Sequence, residues 1–144
     1  MQVALEEAGS AAESGEVPVG AVIVRDQQLL AKTHNLRETS GNPTAHAEIL
    51  AVADAAKAVG SWRLEGCDIY VTLEPCAMCA GALVNARVRR LVFGVHDPKG
   101  GFCGSLGDIV RDPRLNHRLE VVSGVGAEAS AQMLRDFFSK LRTR

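Results

Sequence analysis

Aromatic side chains are scarce, with four Phe, one Tyr and one Trp in 144 residues. So few rings leave little to spare for a stacking platform on single-stranded nucleic acid, and Trp62 and Tyr70 read most simply as core or interface residues. No apolar run approaches the roughly 18 residues of a membrane-spanning helix. The opening stretch carries Glu6 and Glu7 and lacks the basic and apolar regions of a secretory signal, so the expected location is the cytoplasm, with reduced cysteines. An excess of one charge is missing too, since the formal net charge is −1. Its distribution is uneven: from Arg111 onward seven Lys or Arg face four acids, a +3 tail on a −4 remainder. Such a tail suits either a phosphate contact or a solvated helix face. Of the four cysteines only Cys76 and Cys79 form a C-x-x-C pair, and the four histidines never fall at H-x₃₋₅-H spacing. A structural zinc site built from two such pairs is therefore not to be expected.

What is present describes one packed domain over residues 1–144. Hydrophobic residues make up 47% and charged ones 23%, enough for a core and too apolar for disorder. Residues 2–14 carry apolar positions at helical spacing. VGAVIV (19–24) has the continuous β-branched character of a strand buried on both faces, and LLAKTHN (29–35) follows it after a turn. Asn42 as N-cap and Pro43 as first helical residue predict a helix running to Gly60. DIYVTL (68–73) predicts a strand, Pro75 the opening of another helix, RLVFGV (90–95) and RLEVVSGV (118–125) two further strands, and 127–142 a closing helix. The alternation implies a largely parallel sheet covered on both faces.

The candidate chemistry lies in two helix starts. Pro43-Thr44-Ala45-His46-Ala47-Glu48 places a histidine and a glutamate two residues apart; Glu74-Pro75-Cys76-Ala77-Met78-Cys79 places two thiols three apart. Inside a helix, residues two apart diverge, so His46 and Glu48 reach one ion only near the helix start. A thioredoxin-like redox pair is the rival for the cysteines, but Ala77-Met78 offers no polar tuning and leaves the histidine unused. Two helix N-termini aimed at one point favour thiolates there. His46, Cys76 and Cys79 as three ligands leave a fourth position for water, as in catalytic zinc sites. Glu48 is then the proton shuttle. H-x-E followed by P-C-x-x-C is the known signature of zinc nucleobase deaminases.

At these residues the sequence resembles the bacterial tRNA-specific adenosine deaminases. GEVPVGAVIV (15–24), NPTAHAEI (42–49), TLEPCAMCAGA (72–82) and FGVHDPKGGFCGSL (93–106) carry the resemblance, and DPRLNHRLEV (112–121) and LRDFFSKLR (134–142) extend it along the chain. It implies a cytidine-deaminase-like three-layer α/β/α sandwich with a five-stranded mixed sheet. It also implies a homodimer, one zinc ion per subunit, and hydrolysis of adenosine to inosine at the wobble position of an arginine tRNA anticodon. By the same resemblance Asn35 contacts the flipped nucleotide and Asp97 the neighbouring ribose, while Asn116, Asp136, Phe137 and Phe138 lie where the anticodon stem-loop docks. Phe137 and Phe138 read equally as one core residue and one partly exposed neighbour.

Other readings stay open at this level. A free-base or nucleoside deaminase, such as a guanine deaminase, shares the H-A-E helix start. A non-catalytic zinc subunit would lack Glu48, and a structural zinc would need Cys103 as fourth ligand. Cys67 reads as a buried small hydrophobe, and Cys103 as an exposed, oxidisable thiol in the substrate-side loop.

Overall fold

Five strands and five helices follow one another along residues 1–143, the part of the chain described by the computed structural model. Helix α1 (Gln2–Glu13) lays Ala4, Ala8 and Ala11 on the sheet, all fully buried. The small side chains let it approach β1 (Gly20–Arg25) so closely that a Cβ on Gly20 would run into the Ala4 carbonyl. Asp26 and Gln27 then turn the chain with φ of 51° and 64° into β2 (Gln28–His34). Positive φ at both central residues matches the right-handed twist of a tight hairpin. A short α2 (Arg37–Ser40) precedes α3 (Ala47–Val59), which closes on Gly60 at φ 72°. Beyond it come β3 (Asp68–Leu73), α4 (Ala77–Asn85), β4 (Arg90–Val95), β5 (Glu120–Val122) and α5 (Ala127–Arg142).

The sheet order is β2-β1-β3-β4-β5. β1 runs antiparallel to both neighbours, whereas β3, β4 and β5 are parallel. The sheet is thus mixed, as the resemblance implied, and not largely parallel as the alternation of elements suggested. The hairpin reverses β1 alone. β2 and β3, both antiparallel to β1, point the same way as β4. The ends of β2, β3 and β4 therefore converge on one edge of the sheet, where α3 and α4 begin.

Helices α3 and α4 pack together on one face, burying Ala47, Ala51, Ala55, Ala80 and Leu83 against Ile23, Ile69, Val71, Leu91 and Phe93. α1 and α5 cover the opposite face, where the Ser130 hydroxyl donates to the Thr72 carbonyl at 2.6 Å. Among the described residues no helix is long and apolar enough to cross a membrane.

Several local expectations are corrected. α3 starts at Ala47, not at Pro43. Asn42 spends its side-chain oxygen on the Thr44 N–H and hydroxyl, both at 2.9 Å, and so caps a turn over 42–45. The Leu36 N–H then holds the Ala45 carbonyl at 3.1 Å and keeps the chain extended through His46. Pro75 likewise lies before α4, with Cys76 as the N-cap. β5 spans three residues and not 118–125, because Gly124 turns at φ 84° toward α5. Of the two readings of Trp62, core or interface, the core one falls: the ring is exposed, with the guanidinium groups of Arg63 and Arg87 lying over it at 4.7 and 5.6 Å. Cys103 is buried, against the expectation of an exposed thiol, while Cys67 is buried as expected. The Cys103 thiol is pushed well up by burial and by the nearby Glu74 charge.

Candidate metal centre and cavity

His46 and Cys76 are both N-cap residues with extended backbones, φ/ψ −73°/152° and −75°/178°. An N-cap side chain stands beside the first free N–H groups of its helix, so two positive helix ends face each other here. Cys79, one turn into α4, points to the same place. The His46 Nδ1 lies 3.6 Å from the Cys76 Sγ and 3.5 Å from the Cys79 Sγ, and all three ligand atoms fall within 4.8 Å of one another. A tetrahedral zinc with Zn–S of about 2.3 Å and Zn–N of about 2.0–2.1 Å requires an N···S edge of about 3.6 Å. The three residues fit such an ion. Cys103 stands outside the cluster, its Sγ 3.9 Å from the Pro75 carbonyl.

Electrostatics set the three groups apart. The hydrogen bond from Cys79, with His46 adding to it, draws the Cys76 thiol down to about 5 despite partial burial. Cys79 is held upward, chiefly by its proximity to Cys76 and by burial. Glu48 is 4% exposed, with the Cys79 thiol and its own N–H beside its carboxyl. Burial pushes that carboxyl up to about 7, with the Cys76 charge adding to the rise. This is the environment of a group that exchanges protons near neutrality.

A cavity of about 140 Å³ opens over the cluster, walled by Val17, Val19, Leu73, His46, Glu48 and Asn35, with Asp97 at its rim. It is small beside the roughly 300–1,000 Å³ of ordinary ligand pockets, with room for one ring system. Asn35 is 7% exposed and locked in place: its Oδ1 accepts the Arg37 N–H at 3.1 Å, and its Nδ2 reaches toward the Val17 carbonyl at 3.4 Å. Glu16, fully buried, accepts the Glu38 and Thr39 N–H groups and fixes α2 beside the cavity.

Val17, Leu73 and Asp97 also line a second space, a groove of about 990 Å³ between the loop after β4 and α5. Asp136 and Phe138 line it, together with His96, Lys99, Arg135 and Arg142. Phe137, edge-on to Phe138 at 5.3 Å, is half-buried and does not line the groove. Asn116 reaches neither space. It is exposed beside His117, whose ring bonds the Val88 carbonyl ahead of β4, at the opposite end of that strand.

Two contributors, Lys99 and Glu74, escaped the sequence reading, and Arg135 and Arg142 entered it only as part of the basic tail. Lys99, Arg135 and Arg142 carried no spacing signal of a shared groove. Glu74 stood in the quoted motif without a role, yet it is 2% exposed. Burial would raise its carboxyl, but hydrogen bonds from Ser105, Asp97 and Cys103 prevail and hold it down at about 2.

A mixed sheet with a histidine–cysteine–cysteine cluster and a buried carboxylate at two facing helix starts defines a deaminase-type protein. The profile of the MafB19-like deaminases matches residues 1–142. A tRNA-specific adenosine deaminase of Bacillus subtilis strain 168 is 53% identical over the whole chain and 89% of that protein. A structure solved in work on A-to-I editing by tRNA:A34 deaminases at the wobble position of transfer RNA is 46% identical, with a TM-score of 0.90 over 93% of this chain and 97% of that one. A guanine deaminase from Nitrosomonas europaea, 22% identical with a TM-score of 0.82 over 96% and 82%, shares the fold. The chain belongs to the MafB19-like deaminase family and, within it, to the tRNA-specific adenosine deaminases.

Proposed function

We propose that this protein hydrolyses adenosine to inosine at the wobble position of a tRNA anticodon, using one zinc ion on His46, Cys76 and Cys79. The observation that carries the substrate choice is the continuity of a cavity for a single base with a far larger groove bearing Lys99, Arg135 and Arg142. A free base needs only the cavity. A base extruded from an RNA loop also needs a place for its neighbouring nucleotides and their phosphates.

Zinc, when bound, supplies a water acidic enough to act near neutral pH. Glu48 takes the proton of the attacking water and passes it to a ring nitrogen of adenine. Ionised again, the carboxylate takes a second proton from the hydroxyl now on the carbon and gives it to the amine, which leaves as ammonia, so one water is consumed and the C–N bond is exchanged for C–O. Val17, Val19 and Leu73 wall off bulk water around the ring. Asn35, pinned by the Arg37 N–H, orients the nucleotide, and Asp97 at the rim meets the adjoining ribose. Asp136 and Phe138 contact the loop in the groove. The motif resemblance further supports a homodimer acting in the cytoplasm, which sedimentation analysis of the purified protein tests.

The deciding experiment is inosine formation by zinc-loaded protein on an arginine-tRNA anticodon stem-loop with adenosine at the wobble position, beside free adenosine, cytidine and guanine. Inosine in the stem-loop alone is the expected result. Deamination of guanine with the stem-loop untouched would keep the zinc chemistry and overturn the substrate.

A further inference from the structure

One buried carboxylate that lines the cavity, beside the cluster, has no role in the chemistry above. Glu74 follows β3 and stands two residues before Cys76, with a fully buried side chain. Its oxygens accept the N–H groups of Asp97 (2.9 Å), Cys103 (3.0 Å) and Ser105 (3.0 Å) and the Ser105 hydroxyl (2.5 Å), and the His96 Nδ1 lies 3.2 Å away. A carboxylate offers about four lone-pair sites, so the four donors of the loop after β4 take up its whole capacity.

The loop is built around this group. Gly101 lies so near that a Cβ would run into the carboxylate. On its other side the Phe102 N–H donates to the Pro75 carbonyl at 2.9 Å, and Gly101 forms a β-bridge with Cys76. Asp97, which with Val17 and Leu73 lines both cavity and groove, has its N–H on Glu74 and its Oδ1 on the Lys99 and Gly100 N–H groups.

We infer that Glu74 is the positioning residue of the substrate-side loop, anchoring residues 97–105 so that Asp97 and the groove keep a fixed relation to the cluster. The inference rests on the RNA-deaminase reading above. Glu74 lines the cavity and lies outside the metal cluster, and its carboxylate oxygens are spent on the loop. It acts through the loop, so its loss weakens substrate capture and leaves the cluster intact.

The test uses the zinc-loaded protein and the anticodon stem-loop. In Glu74→Gln the new amide meets N–H donors with an N–H group of its own. The Asp97, Cys103 and Ser105 amides are then expected to exchange with deuterium about ten-fold faster or more, while those of α3 and α4 keep their rates. KM for the stem-loop should rise about ten-fold with kcat within about three-fold of wild type, and zinc content should not change. Ser105→Ala is the variant that does not threaten folding, since Ser105 is exposed and loses one hydroxyl. It should raise KM about three-fold and add nothing in the Glu74→Gln background, as coupled sites do. Wild-type exchange rates in the loop, or a loss confined to kcat and thermal stability with KM unchanged, would overturn the inference. If wild type itself leaves the stem-loop unedited, the functional reading falls, and amide exchange alone decides whether Glu74 anchors the loop.

Discussion

Replacing Glu48 by Gln should raise the stability of the metal-free protein and abolish turnover of the loaded one. The side chain is 4% exposed and its carboxyl is pushed up to about 7 from the ordinary 4.5. Folding therefore favours the protonated acid. The stability this contributes is fully present below about pH 4.5 and is lost as pH rises through 7. At about 1.4 kcal/mol per pKa unit, holding the ionised group buried costs about 3 kcal/mol at pH 8. Glutamine has the same shape and no charge, so the difference between variant and wild type should be near zero at pH 4.5 and grow to about 3 kcal/mol at pH 8. Cys76, whose depressed thiol stabilises the fold as pH rises, is present in both proteins, so only its coupling to the Glu48 charge remains in the difference. Urea denaturation with chelator and reductant at the two pH values reads it. In the zinc-loaded enzyme the same substitution removes both proton transfers. Each transfer is worth about 10²–10⁴-fold, so kcat should fall by at least about 10³-fold with zinc content unchanged. Stability difference absent at pH 8, or turnover within ten-fold of wild type, would refute the assignment of Glu48 as a buried proton carrier.

Cys76→Ser should lose zinc on gel filtration and lose activity with it, because structural capture of the ion needs all three donors; full metal content by elemental analysis would speak against the cluster as the site. Gly20→Ala forces α1 away from β1, since the new Cβ meets helix backbone and not a flexible side chain. It should cost about 1–3 kcal/mol in urea denaturation of the loaded protein, and an unchanged midpoint would contradict the close approach. Lys99→Ala and Arg142→Ala should each weaken stem-loop binding and flatten the salt dependence of log K by about 0.7 per lost phosphate contact. Fluorescence anisotropy across a salt series checks this, and an unchanged slope in both would remove the groove from the RNA path.

How much of this was legible from the sequence depended on how far apart the interacting residues stand. His46 and Glu48 were readable because their function is local: both must sit at a helix start, and the structure places His46 just ahead of α3 and Glu48 in its first turn. The cap itself was misread for an equally local reason. Asn42-Pro43 is a strong helix-start pattern, but the Asn42 oxygen closes a turn instead, and a backbone bond from Leu36 holds the chain extended for the next residues. That second bond belongs to the fold, not to the pattern. The same holds for the sheet, where alternation of strands and helices indicated parallel pairing but could not show that β3 joins the reversed strand β1.

Glu74 marks the limit most sharply. A glutamate at the end of a strand, before a proline, looks like any solvent-facing acid. What buries it are N–H groups 23 to 31 positions later, from a glycine-rich loop that the sequence did not connect to it. Gly101 is there because the loop must pass over a carboxylate: a Cβ at this position would occupy the place of the Glu74 oxygens. The buried Cys103 follows from the same arrangement, since its N–H is one of the donors and its thiol is drawn inside with it. One long-range polar contact thus explains a buried acid, a required glycine and an inaccessible thiol, three features that looked unrelated along the chain. Local patterning locates the reacting groups; the precision with which a substrate meets them is set by such distant pairs.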